Sequence, residues 1–228
     1  MSKGPIIGTL QERSLHASLK DLYKDENTNT EVSVDGFVVD VVKDDLLIEI
    51  QTRNFTAIRD KLRSLVKNHP VRLVYPLPKK KWIVKQTPDG QTELSRRISP
   101  KKCGFEDIFD ELVRIPKLVA HSNFSLDVLL IEEEEVRQQD GKGSWRRRGW
   151  SIIDRKLIDV IDQRLYENPS DFLHFIPDSL EKPFRNSDLI ETLGISRRLG
   201  QRLTYCLRKM NVLKEVGRKG NAILLDIV

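Results

Sequence analysis

The chain has 228 residues, of which 39% are hydrophobic and 32% charged, with a formal net charge of +5. This length fits one large domain or two small ones, and the apolar share is sufficient for a core. Cys103 and Cys206 lie far apart without metal or redox spacing, which argues against a disulfide framework. The sequence shows neither a signal-peptide core nor a membrane-spanning apolar run, so we expect a cytoplasmic protein without membrane contact.

A first helix is predicted over residues 10–24, where apolar residues recur at helical spacing. Glu12, His16, Leu19 and Tyr23 follow the same spacing, so Glu12 shares part of the apolar stripe. A carboxylate that faces inward needs a partner. A glutamate in the first turn is also favoured by the helix dipole alone. Both interpretations of Glu12 stay open.

Residues 31–42 and 46–52 are predicted to form a β-hairpin. Two runs of branched apolar residues flank Asp44 and Asp45, and aspartate tolerates the backbone angles of a tight turn. Both faces of these strands are apolar apart from their carboxylates, as in a central strand that is covered on both sides.

The register of this hairpin opposes two carboxylates. If Asp44 and Asp45 form the turn, Lys43 faces Leu46, and counting back sets Asp40 across from Glu49 with both side chains on one face. Two like charges opposed in an apolar sheet are destabilising. A divalent cation held by oxygen ligands would compensate them.

A second helix is predicted over residues 55–67, with Asn54 as its cap. A short apolar strand over residues 71–75 follows. The order of helix, hairpin, helix and strand indicates an α/β sandwich.

Residues 79–102 are predicted to form a basic hairpin insertion, with a strand over 82–85 and a turn at Pro88-Asp89-Gly90. Eight basic residues face two acidic ones in this segment. One-signed local charge favours a contact with the DNA backbone over a merely solvated hairpin. The candidate contacts are Lys79, Lys80, Lys81, Arg96 and Arg97.

A helix over 105–119 and a strand over 124–131 come next, and the acidic run at 132–135 is interpreted as solvated surface. The glycine-flanked segment 141–150 then places three arginines, Arg146, Arg147 and Arg148, between two tryptophans. Arginine beside aromatic rings suits phosphate contact and base stacking. A domain linker with packed tryptophans is the other interpretation of this loop.

Residues 151–228 are predicted to form a separate small domain that begins with a helix over 153–166. A short helix over 188–193, capped by Ser187 and ended by Gly194, and a longer helix capped by Ser196 form a helix-turn-helix. Strands over 212–216 and 222–227 would supply the wing of a winged helix.

The second helix of this pair has two faces. Its apolar stripe is Leu199, Leu203, Cys206, Leu207 and Met210. Arginine, glutamine and tyrosine on the other face are typical of a recognition helix that contacts phosphates and base edges. The candidate DNA contacts are Arg197, Arg198, Gln201, Arg202, Tyr205 and Arg208 on the helix and Arg218 and Lys219 on the wing. A winged helix that binds protein is the alternative.

The acidic residues of the first 78 residues resemble the PD-(D/E)XK nuclease superfamily in their order along the chain. The resemblance covers residues 10–78 and implies a restriction-endonuclease-like mixed sheet flanked by helices. It implies that Asp40 and Glu49 hold Mg²⁺ or Mn²⁺. It also implies that Glu12 completes the set and that the Ile50 carbonyl serves as a further ligand.

Gln51 departs from the pattern of this superfamily, whose third motif position is usually lysine. A neutral amide can position water but supplies no cation, although some restriction-type members resemble this chain in having glutamine there. Arg53 on the same strand or Lys61 on the next helix could supply the charge.

The sequence therefore predicts an α/β (α+β) protein with a nuclease-like domain over 1–140, a basic loop over 141–150 and a winged-helix domain over 151–228. The expected function is metal-dependent hydrolysis of phosphodiester bonds in duplex or branched DNA, and a homodimer stays open. A nuclease-fold DNA-binding or regulatory protein without catalysis is the alternative. A transcription regulator with a small-molecule sensor domain would need a pocket for which the sequence gives no sign.

Overall fold

The computed structural model describes residues 14–228, so Glu12 lies outside the described residues. The described chain is a mixed α/β structure with a seven-stranded mixed sheet, flanking helices and a second, three-stranded sheet. The helices are α1 (Ser14–Leu22), α2 (Arg59–Leu65), α3 (Phe109–Leu112), α4 (Asn186–Leu193) and α5 (Arg197–Lys209). The strands are β1 (Thr28–Val34), β2 (Phe37–Lys43), β3 (Leu46–Ile50), β4 (Val71–Gln86), β5 (Glu93–Ile98), β6 (Phe124–Gln139), β7 (Trp150–Tyr166), β8 (Phe184–Arg185), β9 (Leu213–Lys219) and β10 (Ala222–Ile227). No helix among these is long and apolar enough to cross a membrane.

The large sheet has the order β1-β2-β3-β4-β6-β7, with β5 paired to the outer half of β4. β4 runs parallel to both β3 and β6, and the other neighbours are antiparallel. The turn between β2 and β3 falls at Asp44 and Asp45, with Lys43 opposite Leu46, as the sequence predicts. The predicted strand 31–42 is instead two strands, because Asp35 and Gly36 both adopt positive φ and form a turn.

The helix predicted over 55–67 is shorter, and Asn54 is not its cap. α2 begins after Ile58, whose backbone occupies the cap position. Phe55 is fully buried in the core, and its N–H donates to Glu111 Oε2 at 3.0 Å. This tertiary contact holds the start of the segment in turns rather than in a helical conformation.

β4 and β6 are longer than the sequence predicts. The two short strands expected at 71–75 and 82–85 are one strand of 16 residues, so the basic hairpin is an extension of the sheet. β6 continues through the acidic run at 132–135, and Glu133 is fully buried while Glu135 is nearly so. The interpretation of this run as solvated surface is therefore wrong. Residues 105–119 form 3₁₀ turns and the short α3 rather than one helix.

The predicted helix over 153–166 is wrong, because these residues lie in β7, which pairs with β6 from Tyr166 back to Trp150. Three register shifts interrupt this pairing and leave Ile153, Ile158 and Ile161 without a residue opposite. Each bulge adds one residue and breaks the alternation of the strand. The apolar residues then recur at intervals that imitate a helical stripe.

The C-terminal residues pack on the same core as the large sheet. The apolar stripe of α5 is buried as predicted, and it joins one cluster with Phe109 and Leu126. Ser196 accepts a hydrogen bond from the Leu199 N–H, and Gly194 ends α4 with a positive φ, both as predicted. β10 lies between β8 and β9 in the small sheet. Residues 150–166 therefore belong to the large sheet and not to a separate C-terminal unit.

Candidate functional site

Asp40 and Glu49 lie side by side near the end of β3. Three observed pairs set the register, the last of them Val41 with Ile48, and one further step sets Asp40 opposite Glu49. Continuing the β1–β2 register in the same way sets Glu31 opposite Asp40, but its carboxylate forms an ion pair with Lys20. Two carboxylates thus remain for the site, on adjacent strands of a covered sheet.

Asp40 is held by the end of β3 and by α1. Its Oδ2 accepts a hydrogen bond from the Ile50 N–H at 2.8 Å and lies 3.4 Å from His16 Nε2. The same His16 nitrogen lies 3.0 Å from the Ile50 carbonyl oxygen. Burial acts to raise the pKa of Asp40, but these contacts with His16 and Ile50 outweigh it and hold the pKa below its ordinary value. Asp40 is therefore an anion at neutral pH.

Glu49 is buried, with 2% of its surface exposed. The ammonium group of Lys61 on α2 contacts Oε1 and donates to the Val38 carbonyl at 2.5 Å. The contact with Oε1 is an ion pair between the ammonium group and the buried carboxylate. Burial raises the pKa of Glu49 to about 7, with Lys61 opposing and Asp40 reinforcing the rise.

These groups fit a hard divalent cation such as Mg²⁺ or Mn²⁺. Two carboxylates and the Ile50 carbonyl are oxygen donors of the kind such ions take, although the Lys61 ammonium already contacts the buried Oε1 of Glu49. Between residues 14 and 228 no group of three or more acidic, histidine or cysteine side chains forms a metal cluster. A fourth oxygen ligand from Glu12 is outside the described residues.

Gln51 extends away from the two acids. Its Nε2 donates to the Asn54 carbonyl at 3.3 Å, and its N–H donates to the Val74 carbonyl at 3.0 Å. Among the described residues, Lys61 on the helix that follows the strand is the lysine that contacts the carboxylate pair. In the sequence, this role of Lys61 is indicated only by its position on the helix that follows the strand of Glu49.

The basic hairpin is partly neutralised within the sheet. Lys80 pairs with Glu132 at 2.9 Å, and Arg96 pairs with Glu134 at 2.7 Å. Lys81 lies between Glu133 and Glu135, which are largely buried, at 2.9 and 3.3 Å. Three of the predicted DNA contacts therefore have acidic partners on β6, whereas Lys79 and Arg97 are exposed and form no ion pair with another described residue.

The arginine-rich segment is the loop between β6 and β7. Trp145 is 82% exposed at this loop, and the Arg146 guanidinium lies 5.4 Å from its ring centre. Arg147 Nε donates to the Trp150 carbonyl at 3.1 Å. Arg148 is exposed and adopts a positive φ. The loop is thus a connection within the sheet and not a linker between domains.

The outer face of α5 carries the polar residues that the sequence assigns to it. Its exposed side chains are Arg197, Arg198, Gln201, Tyr205 and Arg208. Arg202 differs from these, because it forms an ion pair with Asp110 beside α3. Arg208 and Arg218 both lie within 3.4 Å of Glu215, and Lys219 is exposed.

Arg155 on β7 is a residue that sequence reasoning missed, because its segment was predicted as a helix. Its guanidinium pairs with the buried Glu133, with Nε at 3.0 Å, and Nη1 donates to the Thr52 carbonyl at 3.0 Å. The far strand of the sheet thereby fixes the backbone directly after Gln51.

Comparison with known proteins places the chain in a family. The family model described as "Domain of unknown function (DUF8091)" matches residues 13–167 and ends one residue after β7. An "Uncharacterized protein" of Treponema pallidum (strain Nichols) is 32% identical over 187 residues, which cover 82% of this chain and 74% of that protein. No solved structure matches the chain. With more than half of its length matched by the family model, the chain belongs to the DUF8091 family.

Proposed function

We propose that this protein is a metal-dependent nuclease that hydrolyses phosphodiester bonds in DNA. The observation that carries the proposal is the acidic pair at the end of β3, where Glu49 is buried, Asp40 is partly buried and the Lys61 ammonium lies against Glu49. Acids are seldom buried together unless a cation compensates them. The order of these acids along the chain also resembles that of the PD-(D/E)XK nucleases.

In this proposal Asp40, Glu49 and the Ile50 carbonyl hold Mg²⁺ or Mn²⁺. When bound, such an ion lowers the pKa of a water molecule and stabilises charge on the phosphate. Lys61 supplies the positive charge that the superfamily takes from the position of Gln51. His16 orients the Asp40 carboxylate and contacts the Ile50 carbonyl, so it is a positioning residue.

The C-terminal helix pair and small sheet are proposed to act as a winged helix on duplex DNA. Supporting this, Arg197, Gln201, Tyr205 and Arg208 line one surface concavity together with Asn221, at the turn between β9 and β10. A helix face and a β-turn that share one surface suit the major groove and the adjoining backbone.

The test incubates purified protein with labelled linear, branched and single-stranded DNA in Mg²⁺ or Mn²⁺. We expect cleavage that falls at least 100-fold in Asp40→Asn, Glu49→Gln and Lys61→Met. Asp45→Asn, an exposed acid in the same hairpin, and Arg63→Met, an exposed cation on α2, are matched controls that should retain cleavage. Absence of cleavage on all three substrates by a protein that binds DNA would overturn the proposal.

A nuclease-fold DNA-binding protein without catalysis is the second candidate. This candidate is favoured because protein side chains already contact the oxygen atoms that a metal ion would bind. Lys61 pairs with Glu49, and His16 contacts both Asp40 and the Ile50 carbonyl. In that case DNA binding would be unchanged in Asp40→Asn, and Mg²⁺ would leave protein stability unaltered.

A further inference from the structure

A groove of about 650 Å³ is lined in part by Thr52 and Arg53, the two residues that follow Gln51 in the chain. Residues of β4, β6 and β7 line it on the sheet side, and residues 99–111 line it opposite. The loop between β6 and β7 contributes Lys142, Gly143 and Arg147. The groove therefore connects the strand that carries Glu49 to the arginine-rich loop.

The acidic residues of the groove form hydrogen bonds or ion pairs with other residues of the protein. Asp110 pairs with Arg202, and Glu111 accepts from the Phe55 N–H and from Arg114. Glu135 pairs with Lys81 and Arg137, and Asp107 accepts from the Gly104 N–H at 3.0 Å. These four carboxylates thus have their own hydrogen-bond or ion-pair partners.

The basic residues of the groove outnumber these acids, with seven lining it. Lys81, Arg137 and Arg155 are bound to Glu133 or Glu135 on β6. The other four basic residues, which form no ion pair with any described residue, are Arg53, Lys101, Lys142 and Arg147. A concave surface with unpaired cations attracts an anionic ligand and raises its local concentration.

An exposed aromatic ring lies on the same loop as two of these cations. Trp145 lies in the same loop as Lys142 and Arg147, and 82% of its surface is exposed. An exposed tryptophan is costly in water unless it has a partner, and a nucleobase offers a flat face for stacking. In a duplex these faces are covered by neighbouring base pairs, so stacking of this kind selects an unpaired strand.

We infer that this groove binds the backbone of a single-stranded nucleic acid and that Trp145 stacks on one of its bases. The inference rests on the proposed function and extends it, because Thr52 and Arg53 of the groove directly follow the segment that carries Glu49 and Ile50. The four unpaired cations would contact successive phosphates, and the bound Lys81, Arg137 and Arg155 would keep the floor of the groove rigid.

The test measures binding of a fluorescein-labelled oligothymidylate of about 12 nucleotides, a length within the usual site size of such grooves. EDTA is present throughout, so that no metal-dependent cleavage occurs. We expect the double variant Lys101→Glu, Lys142→Glu to bind at least tenfold more weakly. The slope of its log affinity against log salt concentration should also be smaller, by the amount that corresponds to about one to two phosphate contacts. The matched control Lys67→Glu, Lys182→Glu carries the same charge change on exposed sites outside the groove and should bind as the wild type does.

Trp145 gives a second, independent readout. Binding should quench tryptophan fluorescence, and Trp145→Ala should abolish most of the quenching and weaken binding about tenfold. A blunt duplex of equal length should lose little affinity in either groove variant. The inference would be overturned if the groove variant and the control variant lost the same affinity for the single-stranded oligonucleotide. It would also be overturned if the fluorescence quenching persisted in Trp145→Ala.

Failure of this inference is separable from failure of the nuclease proposal. If binding in EDTA depends on Lys101, Lys142 and Trp145 but no cleavage occurs in Mg²⁺, the groove binds nucleic acid and the nuclease proposal is wrong. If cleavage depends on Asp40 but is unchanged in the groove variants, the protein is a nuclease and the inference about the groove is wrong.

Discussion

At the scale of single residues, Glu49 is the most consequential position, because its carboxylate is buried and has one ion-pair partner among the described residues, which makes its charged form costly. Its raised pKa means that the folded protein favours the protonated form more than the unfolded chain does. The stabilising effect of that proton is complete at low pH. It is lost as the pH rises from the ordinary value near 4.5 through about 7.

This linkage gives a stability prediction for Glu49→Gln. Relative to the variant, the wild type should lose up to about 3 kcal/mol of unfolding free energy between pH 4.5 and pH 8. Urea unfolding at several pH values measures the difference. Asp45→Asn serves as the control because Asp45 is exposed. Parallel pH profiles for the wild type and Glu49→Gln would show that Glu49 ionises normally.

A bound divalent cation should reverse this loss. At pH 8, Mg²⁺ at about 100 times its dissociation constant should add about 2.7 kcal/mol to the stability of the wild type. Asp40→Asn and Glu49→Gln should gain far less, since each removes a carboxylate ligand. Thermal unfolding with Mg²⁺ or EDTA measures this without any nucleic acid. An equal effect of Mg²⁺ on all three proteins would place the ion elsewhere.

At the scale of elements, the pairing of β4, β6 and β7 depends on charges inside the sheet. Glu133 is fully buried between Lys81 and Arg155, which reach it from the two neighbouring strands. Arg155 also binds the Thr52 carbonyl just beyond β3. One guanidinium thus adds a contact between the edge strand β7 and the backbone that follows β3.

Arg155→Met should therefore be strongly destabilising. In the part of the chain that the structure describes, it leaves the buried Glu133 with Lys81 alone as an ion-pair partner, a loss of about 3–5 kcal/mol for a broken buried pair. The neighbouring Lys156→Met, which breaks no ion pair with a described residue, is the matched control for chemical denaturation. The double variant with Glu133→Gln should recover part of the loss because it removes the stranded charge. A single-variant loss below about 1 kcal/mol would contradict this account.

At the scale of the whole molecule, the C-terminal residues are part of the main core. Tyr166 stacks on Phe172 with ring centres 4.4 Å apart, and Phe109 contacts Phe175 at 4.9 Å. The buried stripe of α5 belongs to the same cluster as these rings. The family match ends at residue 167, yet side chains from the C-terminal residues cover the apolar surface of the matched region.

A fragment of residues 1–167 should consequently fold poorly. It exposes the rings of Phe109 and Tyr166 and the apolar surface that α5 covers, and exposed patches of this kind promote aggregation. We expect loss of a cooperative thermal transition and binding of a hydrophobic dye, with the full chain as control. A soluble fragment with the same melting temperature as the full chain would show two independent units.

Local features of the fold are encoded in short stretches of the sequence. The turn at Asp44 and Asp45, the register beside it, the cap at Ser196 and the end of α4 at Gly194 all depend on backbone preferences of neighbouring residues. The opposition of Asp40 and Glu49 followed from that register alone. Such features need no knowledge of distant contacts.

The remaining features depend on contacts between distant parts of the chain. The sequence of β7 predicts a helix because its bulges destroy the alternation that marks a strand, and these bulges are visible only in the pairing with β6. The acidic run on β6 is buried because Lys81 and Arg155 arrive from other strands. Lys61 and His16 likewise reach the carboxylate pair from separate helices. Charges that compensate one another across a fold are separated by many residues in the chain, so their pairing is a property of the folded molecule.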